Sequence, residues 1–325
     1  MNSTGRLDNL YEAVIKNVIS FSLVFVILCI NGAFVFTYFK NQDFQRDPRY
    51  VLYIHLVIND MIMLAGSLSL QIASYVSTLS RTSCCLLMLS MSSCCLLLLL
   101  LLTTSKNSPL NLAGMAVERY IAICRPLHHV HICTVQRAHA LIALIWVVSF
   151  IPALVEVFII LATQPLSVFS TSVICYHANM YNTKYHKVHS AVVEALLFSF
   201  VFLTVIVTYL KVLCTARAVT GSDRSAARSA HNTILLHGVQ LLLCMLTFIA
   251  PFLKLTLVTA WPQDRTEILF TSFLFINVLP RLLSPLIYGV RDQKFRTQIR
   301  LLFCTIKKRA EPAAGSQRRS KQVSH

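Results

Sequence analysis

The chain has 325 residues, of which 56% are hydrophobic and 13% are charged, and its mean hydropathy is +0.65. Soluble domains carry roughly a quarter charged residues, so a single large soluble core is excluded. The formal net charge of +16 would suit nucleic-acid binding or a membrane protein with a basic inner face, and the apolar stretches along the chain favour the second class.

Apolar stretches of about 20 residues, long enough for a helix to cross about 30 Å of hydrocarbon, recur throughout the chain. They are continuous and lack the alternation of membrane strands, so helices are predicted. The sequence therefore predicts an all-α fold, a seven-transmembrane-helix bundle whose termini lie on opposite sides of the membrane. The predicted spans are 18–39, 51–76, 92–123, 139–162, 189–213, 233–258 and 266–290.

The distribution of basic residues predicts the orientation of the bundle. Most Lys and Arg residues lie after the first, third and fifth spans and in the C-terminal tail. Because such segments stay in the cytoplasm, we expect an extracellular N-terminus, with the basic segments facing anionic membrane lipid. No nucleic-acid partner is expected. Asn2 begins an Asn-Ser-Thr glycosylation sequon on the outer side.

Four regions follow from this pattern: an extracellular N-terminus at 1–17, a seven-helix membrane domain at 18–290, a surface helix at 291–306 and a disordered tail at 307–325. The surface helix is predicted to be amphipathic and to lie on the inner leaflet. Its apolar residues at helical spacing are Phe295, Ile299, Leu302 and Phe303.

An ionisable pair marks the inner end of the third span. Glu118, Arg119 and Tyr120 follow an apolar helix that ends near Arg125-Pro126. Charges at such a position are costly unless they are paired, so they indicate a functional site. The alternative is an interfacial arginine that extends to lipid phosphate.

Further residues occur in order, each in its own span, and with the pair they resemble the rhodopsin-like G-protein-coupled receptors. They are Asn31-Gly32, Asn59-Asp60, Trp146, Pro251 and the Pro-x-x-Tyr sequence of Pro285 and Tyr288. Three whole segments, "PLNLAGMAVERYIAICRPLHH", "NTILLHGVQLLLCMLT" and "SPLIYGVRDQKFR", resemble fish odorant receptors.

The resemblance implies roles in activation for several residues at the inner face. Glu118 would hold Arg119 in the inactive state and release it toward the G protein. Tyr209 and Tyr288 match tyrosines that move inward on activation, and His237 matches a histidine at the inner end of the sixth span. Two residues depart from the family pattern: Ile249 replaces an aromatic residue before Pro251, and Ser284 replaces the usual Asn before Pro285.

The resemblance also implies a disulfide between the outer end of the third span and the second outer loop. In the family this cysteine lies about 25 residues before the arginine, a helical rise of about 37 Å. Counting back 25 residues from Arg119 reaches Cys94. The resemblance implies that its partner in the second outer loop is Cys175. Cys95 is an alternative to Cys94, whereas Cys84 and Cys85 belong to a near-duplication that lengthens the first outer loop.

Buried polar residues are predicted to meet at one depth in the inner half of the bundle. The helical rise places Asp60, Ser108, Arg281 and Ser284 about 10–16 Å above the cytoplasmic end. Three of them match positions that line the sodium site of related receptors, and Arg281 is expected to pair with Asp60 in place of sodium. In the alternative, Arg281 faces lipid and extends to the interface.

A second polar level lies nearer the outside. Lys106 is predicted near mid-bilayer, and Glu194 lies higher on the fifth span. We expect these two residues to line a ligand pocket that selects anionic or zwitterionic molecules. In the alternative, Lys106 bonds to serine hydroxyls and backbone carbonyls. Leu101 and Val278 stand where amine receptors carry an acid and opsins a lysine, so those classes are disfavoured.

The function indicated by the resemblance is an odorant receptor that binds a small external molecule and activates a heterotrimeric G protein of the stimulatory olfactory type. The expected location is the plasma membrane of olfactory cilia. Within the same superfamily, a receptor for a metabolite or hormone is the alternative, and a transporter is a more distant one. No enzymatic activity, cofactor or metal ion is expected.

Overall fold

In the computed structural model of this chain, the described residues are 10–79, 91–163, 183–219, 253, 256–283 and 294–301. Their regular structure is helical. The elements are α1 (Leu10–Lys40), α2 (Gln42–Gln45), α3 (Pro48–Leu79), α4 (Met91–Cys124), α5 (Pro126–Ile132), α6 (Val135–Thr163), α7 (Lys184–Val219), a 3-10 turn (Pro262–Asp264), α8 (Arg265–Ser272) and a π-helix (Phe273–Val278).

Five helices of the described part of the chain are long and apolar enough to cross a membrane. They are Tyr11–Lys40, Pro48–Ile72, Val135–Thr163, Lys184–Thr215 and Pro262–Leu283. We call them the first, second, fourth, fifth and seventh spans, and α4 the third. The predicted sixth span, 233–258, lies almost entirely outside the described residues.

The helices are longer than the predicted spans. The first begins at Leu10 and the fifth begins at Lys184, ahead of the apolar stretches at 18 and 189. The prediction marked only the hydrocarbon crossing, whereas backbone hydrogen bonds continue the helix into the polar interface. At the start of the fifth span, Thr183 Oγ1 accepts the backbone N–H of His186 at 3.4 Å, which satisfies one of the free donors there.

The third span lies in the middle of the bundle and contacts the second, fourth and fifth spans. This position explains why a membrane helix can carry so many polar side chains, because they face other helices rather than lipid. Hydrogen bonds join the neighbouring spans: Asn111 Nδ2 donates to the Leu52 carbonyl at 3.0 Å, and Trp146 Nε1 donates to His55 Nε2 at 2.8 Å. The buried polar residues of this helix are Thr103, Thr104, Lys106, Asn107, Ser108, Asn111 and Glu118.

The outer surfaces of the first, fourth and fifth spans are apolar. Large side chains such as Phe21, Phe25, Phe158, Leu196 and Phe200 are exposed. On a soluble protein such a surface would drive aggregation, but in a bilayer it contacts lipid chains.

At the inner end, an aromatic cluster joins the surface helix to the first two spans. Phe295 is only 2% exposed, and its ring centre lies 5.3 Å from that of Phe34 and 4.9 Å from that of Phe44. Tyr50 and Tyr53 complete the cluster, each 6.0 Å from Phe295. Residues 294–301 of the predicted surface helix are helical in the structure. Phe295 of this helix packs against protein side chains instead of lipid.

We predict that Phe295→Ala destabilises the protein by about 3–5 kcal/mol, because it removes a fully buried ring and leaves a cavity. The apparent melting temperature of the detergent-solubilised protein measures this effect. Leu301→Ala, on the same helix but 54% exposed, is the matched control and should change the melting temperature little. Equal effects of the two substitutions would contradict the anchoring role of Phe295.

Candidate functional site

The inner polar level is a hydrogen-bonded chain between the second and third spans. Ser108 Oγ donates to Asp60 Oδ1 at 2.8 Å, and Asn59 Nδ2 donates to Ser108 Oγ at 2.8 Å and to the Thr104 carbonyl at 2.9 Å. Asp60 is 3% exposed, so the hydrogen bond from Ser108 replaces water at its carboxylate.

Arg281 of the seventh span completes this level. Its Nε lies 3.7 Å from Asp60 Oδ1, and its Nη2 lies 3.0 Å from Met63 Sδ. The residue is 4% exposed, so the guanidinium faces the bundle and not lipid. The structure thus brings together Asp60, Ser108 and Arg281, three of the four residues predicted at this depth. Ser284 lies outside the described residues.

The backbone around Arg281 has a feature that the sequence reasoning missed. Phe273–Val278 is a π-helix, and the N–H of Leu279 bonds to the carbonyl of Leu274, five residues back. Pro280 has no N–H to offer the Ile276 carbonyl four residues before it. Arg281 Nη1 donates to that carbonyl at 2.6 Å, so the guanidinium supplies the donor that proline lacks. In the sequence, the Pro280-Arg281 dipeptide within an apolar span was the feature that could have indicated this irregular helix.

At the outer level, Lys106 is 8% exposed and faces the interior of the bundle. Within the described part of the chain, no carboxylate forms a direct ion pair with it. The acidic charges that act on Lys106 are those of Glu194, on the fifth span, and Glu156, on the fourth. Glu194 is half-buried. The site therefore contains a buried cation attracted by two carboxylates that do not contact it.

Glu156 belongs to a cluster that the sequence analysis did not recognise. Its Oε1 lies 2.7 Å from His189 Nδ1, and its backbone carbonyl lies 3.1 Å from His186 Nε2. His186 Nδ1 in turn lies 2.6 Å from Thr183 Oγ1. The signal was the His-x-x-His spacing, which places both rings on one helix face. Within the described residues, no group of three or more His, Cys, Asp or Glu side chains could hold a metal ion.

At the C-terminal end of the third span, Glu118 contacts two partners. Arg119 Nε lies 3.6 Å from Glu118 Oε2, and His129 Nε2 lies 3.0 Å from Glu118 Oε1. Glu118 is 6% exposed. The sequence analysis assigned no role to His129, because the turn at Arg125-Pro126 that returns the chain to Glu118 is a tertiary feature.

The fifth span packs beside this pair. Lys211 Nζ lies 5.8 Å from the centre of the Tyr120 ring, and Cys124 Sγ lies 3.2 Å from Thr215 Oγ1. Tyr209 lies two residues before Lys211 and is half-buried. The third and fifth spans are thus in contact at their inner ends.

A second charge pair lies where the second span begins. Arg49 Nε donates to Asp47 Oδ1 at 3.0 Å. Partial burial alone would raise the pKa of Asp47, but the hydrogen bonds and charge of Arg49, with attraction from Arg119, hold this pKa below its usual range. Asp47 is therefore ionised near neutral pH and is a second anion that attracts Arg119.

Several predicted site residues cannot be placed. Asn2, Cys175, His237, Pro285 and Tyr288 lie outside the described residues, and the side chain of Cys94 is not described. Cys95, the alternative disulfide partner, is a buried free thiol.

The comparisons with known proteins are consistent among themselves. The sequence family described as 7 transmembrane receptor (rhodopsin family) matches residues 30–288 of this chain. "Odorant receptor 131-2" of Danio rerio is 30% identical over 286 residues, which are 87% of this chain and 85% of the relative. "Olfactory receptor 4N5" of Homo sapiens is 29% identical over 204 residues, 59% of this chain and 61% of the relative.

We predict that Asp60 and Arg281 stabilise the fold only as a pair. Asp60→Asn or Arg281→Met alone should cost about 3–5 kcal/mol, because each leaves the other charge buried without compensation. The double variant, or the exchange of the two residues, should recover part of the lost melting temperature and surface expression.

The same pair predicts how the protein responds to sodium. Because a guanidinium already neutralises the carboxylate, replacing sodium by a large organic cation should leave the melting temperature of the wild type unchanged. A clear stabilisation by sodium would count against the pair.

Proposed function

The chain belongs to the rhodopsin family of seven-transmembrane receptors, in which it is an odorant receptor, and we propose that it detects small acids or zwitterions through Lys106. Receptors of this family bind a small molecule and activate a heterotrimeric G protein. The family consists of receptors and not of enzymes, and the chain is a multi-pass membrane protein.

The proposed ligand class rests on one observation: Lys106 is buried and has no carboxylate in direct contact among the described residues. A buried ammonium needs a nearby negative group, since an isolated charge away from water is costly. Glu194 and Glu156 attract Lys106 without contacting it, and Glu156 is already bonded to His189. A ligand carboxylate next to Lys106 would provide the missing direct partner, and an amine on the same ligand would meet Glu194.

On the cytoplasmic side, we assign Arg119 as the contact for the G protein, held at rest by Glu118. The distance of 3.6 Å between the two side chains supports this assignment. Tyr209, at the inner end of the fifth span beside Lys211, and Tyr288, His237 and Pro285 are assigned to activation through the family resemblance.

The remaining assignments follow from charge and family resemblance. We propose an extracellular N-terminus that is glycosylated at Asn2, a disulfide between Cys94 and Cys175, and a basic inner face on anionic lipid. The buried free thiol of Cys95 supports Cys94 as the bonded residue. The proposed partner is the stimulatory olfactory G protein, and the proposed site of action is the membrane of sensory cilia. We also propose four regions along the chain: an N-terminal segment at 1–17, the seven-helix membrane domain at 18–290, the surface helix at 291–306 and the C-terminal tail at 307–325.

The test of function is a panel of water-soluble acids, amino acids and neutral odorants, applied to cells that express the full chain, with cyclic AMP as the readout. We predict that Arg119→Ala reaches the cell surface normally but loses the response to every agonist, because the G protein loses its contact. An agonist-driven response of normal size from Arg119→Ala would refute this assignment.

For the ligand site, we predict that Lys106→Met keeps normal surface expression and loses the response to acids by about tenfold or more, as expected for one charge-assisted hydrogen bond. Neutral agonists should keep their potency. If Lys106 instead has a packing role, expression falls and every ligand is affected. A panel in which only neutral agonists act, with potency unchanged in Lys106→Met, would show that the proposal is wrong.

A further inference from the structure

The cluster of Glu156 with two histidines joins the fourth and fifth spans, and the carboxylate of Glu156 also acts on the proposed ligand site. We propose that His189 is a positioning residue for ligand recognition, because a proton bound to its ring offsets the pull of Glu156 on Lys106 and so strengthens the recognition of acids. This inference rests on the proposed recognition of acids through Lys106.

His189 binds Glu156 through one of its two ring nitrogens. Nδ1 lies 2.7 Å from Glu156 Oε1, and because an ionised carboxylate only accepts, Nδ1 carries the hydrogen of this bond. Among the described residues, Nε2 has no protein partner, and the side chain is 22% exposed. Nε2 is therefore the atom that can gain or lose a proton while the bond to Glu156 stays in place. Histidine is the side chain whose charge ordinarily changes between about pH 5 and pH 8.

The second histidine of the cluster is held differently. His186 is 2% exposed, and its Nε2 lies 3.1 Å from the Glu156 carbonyl, so Nε2–H donates there. Its Nδ1 lies 2.6 Å from Thr183 Oγ1, whose hydroxyl can donate to this nitrogen while it accepts the backbone N–H of His186. A neutral ring thus satisfies both contacts and is closed to water. Of the two histidines, His189 is the one that protons from water can reach.

Glu156 links His189 to the proposed ligand site. The Glu156 side chain is 6% exposed, and its Oε2 has no hydrogen-bond partner among the described residues. The nearest ring nitrogen, His186 Nε2, lies 3.7 Å from this oxygen, which is beyond hydrogen-bond distance. The charge of Glu156 therefore acts over a longer range, where it attracts Lys106 and repels Glu194.

A proton on His189 changes the net charge of the pair that it forms with Glu156. With a neutral ring the pair is an anion, which cancels part of the positive potential of Lys106. With a protonated ring the pair is neutral, so Lys106 attracts a ligand carboxylate more strongly. By linkage, a bound acid in turn favours the protonated ring. A zwitterion gains less, because its amine meets the same added positive charge.

Other ionisable groups surround this pair in the described part of the chain. Lys106 of the third span and Glu194 of the fifth act on Glu156. His186 contacts it directly. Lys184 and Lys187 lie on the same helix as His189 but are exposed, so water and salt screen their charges. The change of charge closest to Glu156 is therefore the one on His189.

The experiment compares two kinds of probe in cells that express the full chain, with cyclic AMP as the readout. His189 lies near the start of the fifth span, the end proposed to face outward, so the external medium is varied between about pH 6 and pH 8. Short-chain carboxylates and amino acids with neutral side chains keep their charge in this range, and the ratio of their potencies cancels general effects of pH. We expect this ratio to favour carboxylates about threefold more at the acidic end, as for one charge acting across a partly hydrated interior.

Two substitutions fix the charge on the ring position. His189→Gln is neutral and should keep the behaviour of the wild type at the alkaline end throughout the range. His189→Lys is positive and should keep the behaviour of the acidic end, and Glu156→Gln should resemble it in alkaline medium, because both neutralise the pair. Lys187→Gln removes a charge from the exposed face of the same helix and is the matched control, with the pH profile of the wild type. A merely structural role of His189 would lower all responses and leave the profile unchanged.

A second measurement needs no agonist. In purified full-length receptor with isotope-labelled histidine, the ring nitrogen signal that His189→Gln removes should change from the neutral to the protonated position as the medium is acidified. A ring that keeps one protonation state would overturn the inference. Carboxylates that act through Lys106 with the same pH profile in wild type and His189→Gln would also overturn it, and would leave the proposed ligand site intact. If neither carboxylates nor amino acids activate the wild type, the proposed ligand class and this inference fail together.

Discussion

A charged group buried in a bilayer costs several kcal/mol unless a partner and hydrogen bonds surround it, and the pair of Asp60 and Arg281 meets this requirement between the second and seventh spans. Ser108 extends the pair to the third span. Three helices are therefore joined at one depth by groups that have no alternative partner in lipid. The π-helix belongs to the same arrangement, since the guanidinium of Arg281 also bonds the Ile276 carbonyl, to which Pro280 has no N–H to offer.

The third span connects the level of Asp60 and Arg281 to the level of Lys106 and to the level of Glu118. Lys106 precedes Ser108 on the same helix, and Glu118 follows it near the C-terminal end of the helix. A helix transmits axial shifts and rotations along its length because its backbone hydrogen bonds are internal. The proposed ligand, by drawing Lys106 toward a new carboxylate, would therefore act on a rigid element that also carries Glu118. Asp60 and Arg281, which join the second and seventh spans beside the third, would oppose such a movement.

Much of this arrangement could be predicted because helical rise is regular. Apolar length predicted the spans that lie in the described part of the chain, and residue counts placed Asp60, Ser108 and Arg281 at one depth, where the structure has them. The contacts that were missed depend on other information. His129 reaches Glu118 only because the chain turns at Arg125-Pro126, and Glu156 meets His189 because of how the fourth and fifth spans pack. Such contacts depend on helix rotation, which apolar length does not specify in membrane helices with apolar residues on every side.

The three buried charges on these levels differ in how completely the protein compensates them, and this difference matches their proposed roles. Asp60 is compensated by a guanidinium and a hydroxyl inside the bundle, so the free energy of these contacts stabilises the fold. Glu118 is shared between Arg119 and His129, so a modest force on one partner can change its state. Lys106 is attracted by carboxylates that do not contact it, so part of the free energy of pairing stays available to a ligand. A receptor needs all three conditions, because binding must be favourable, the resting state must be stable, and the inner face must change with little additional free energy.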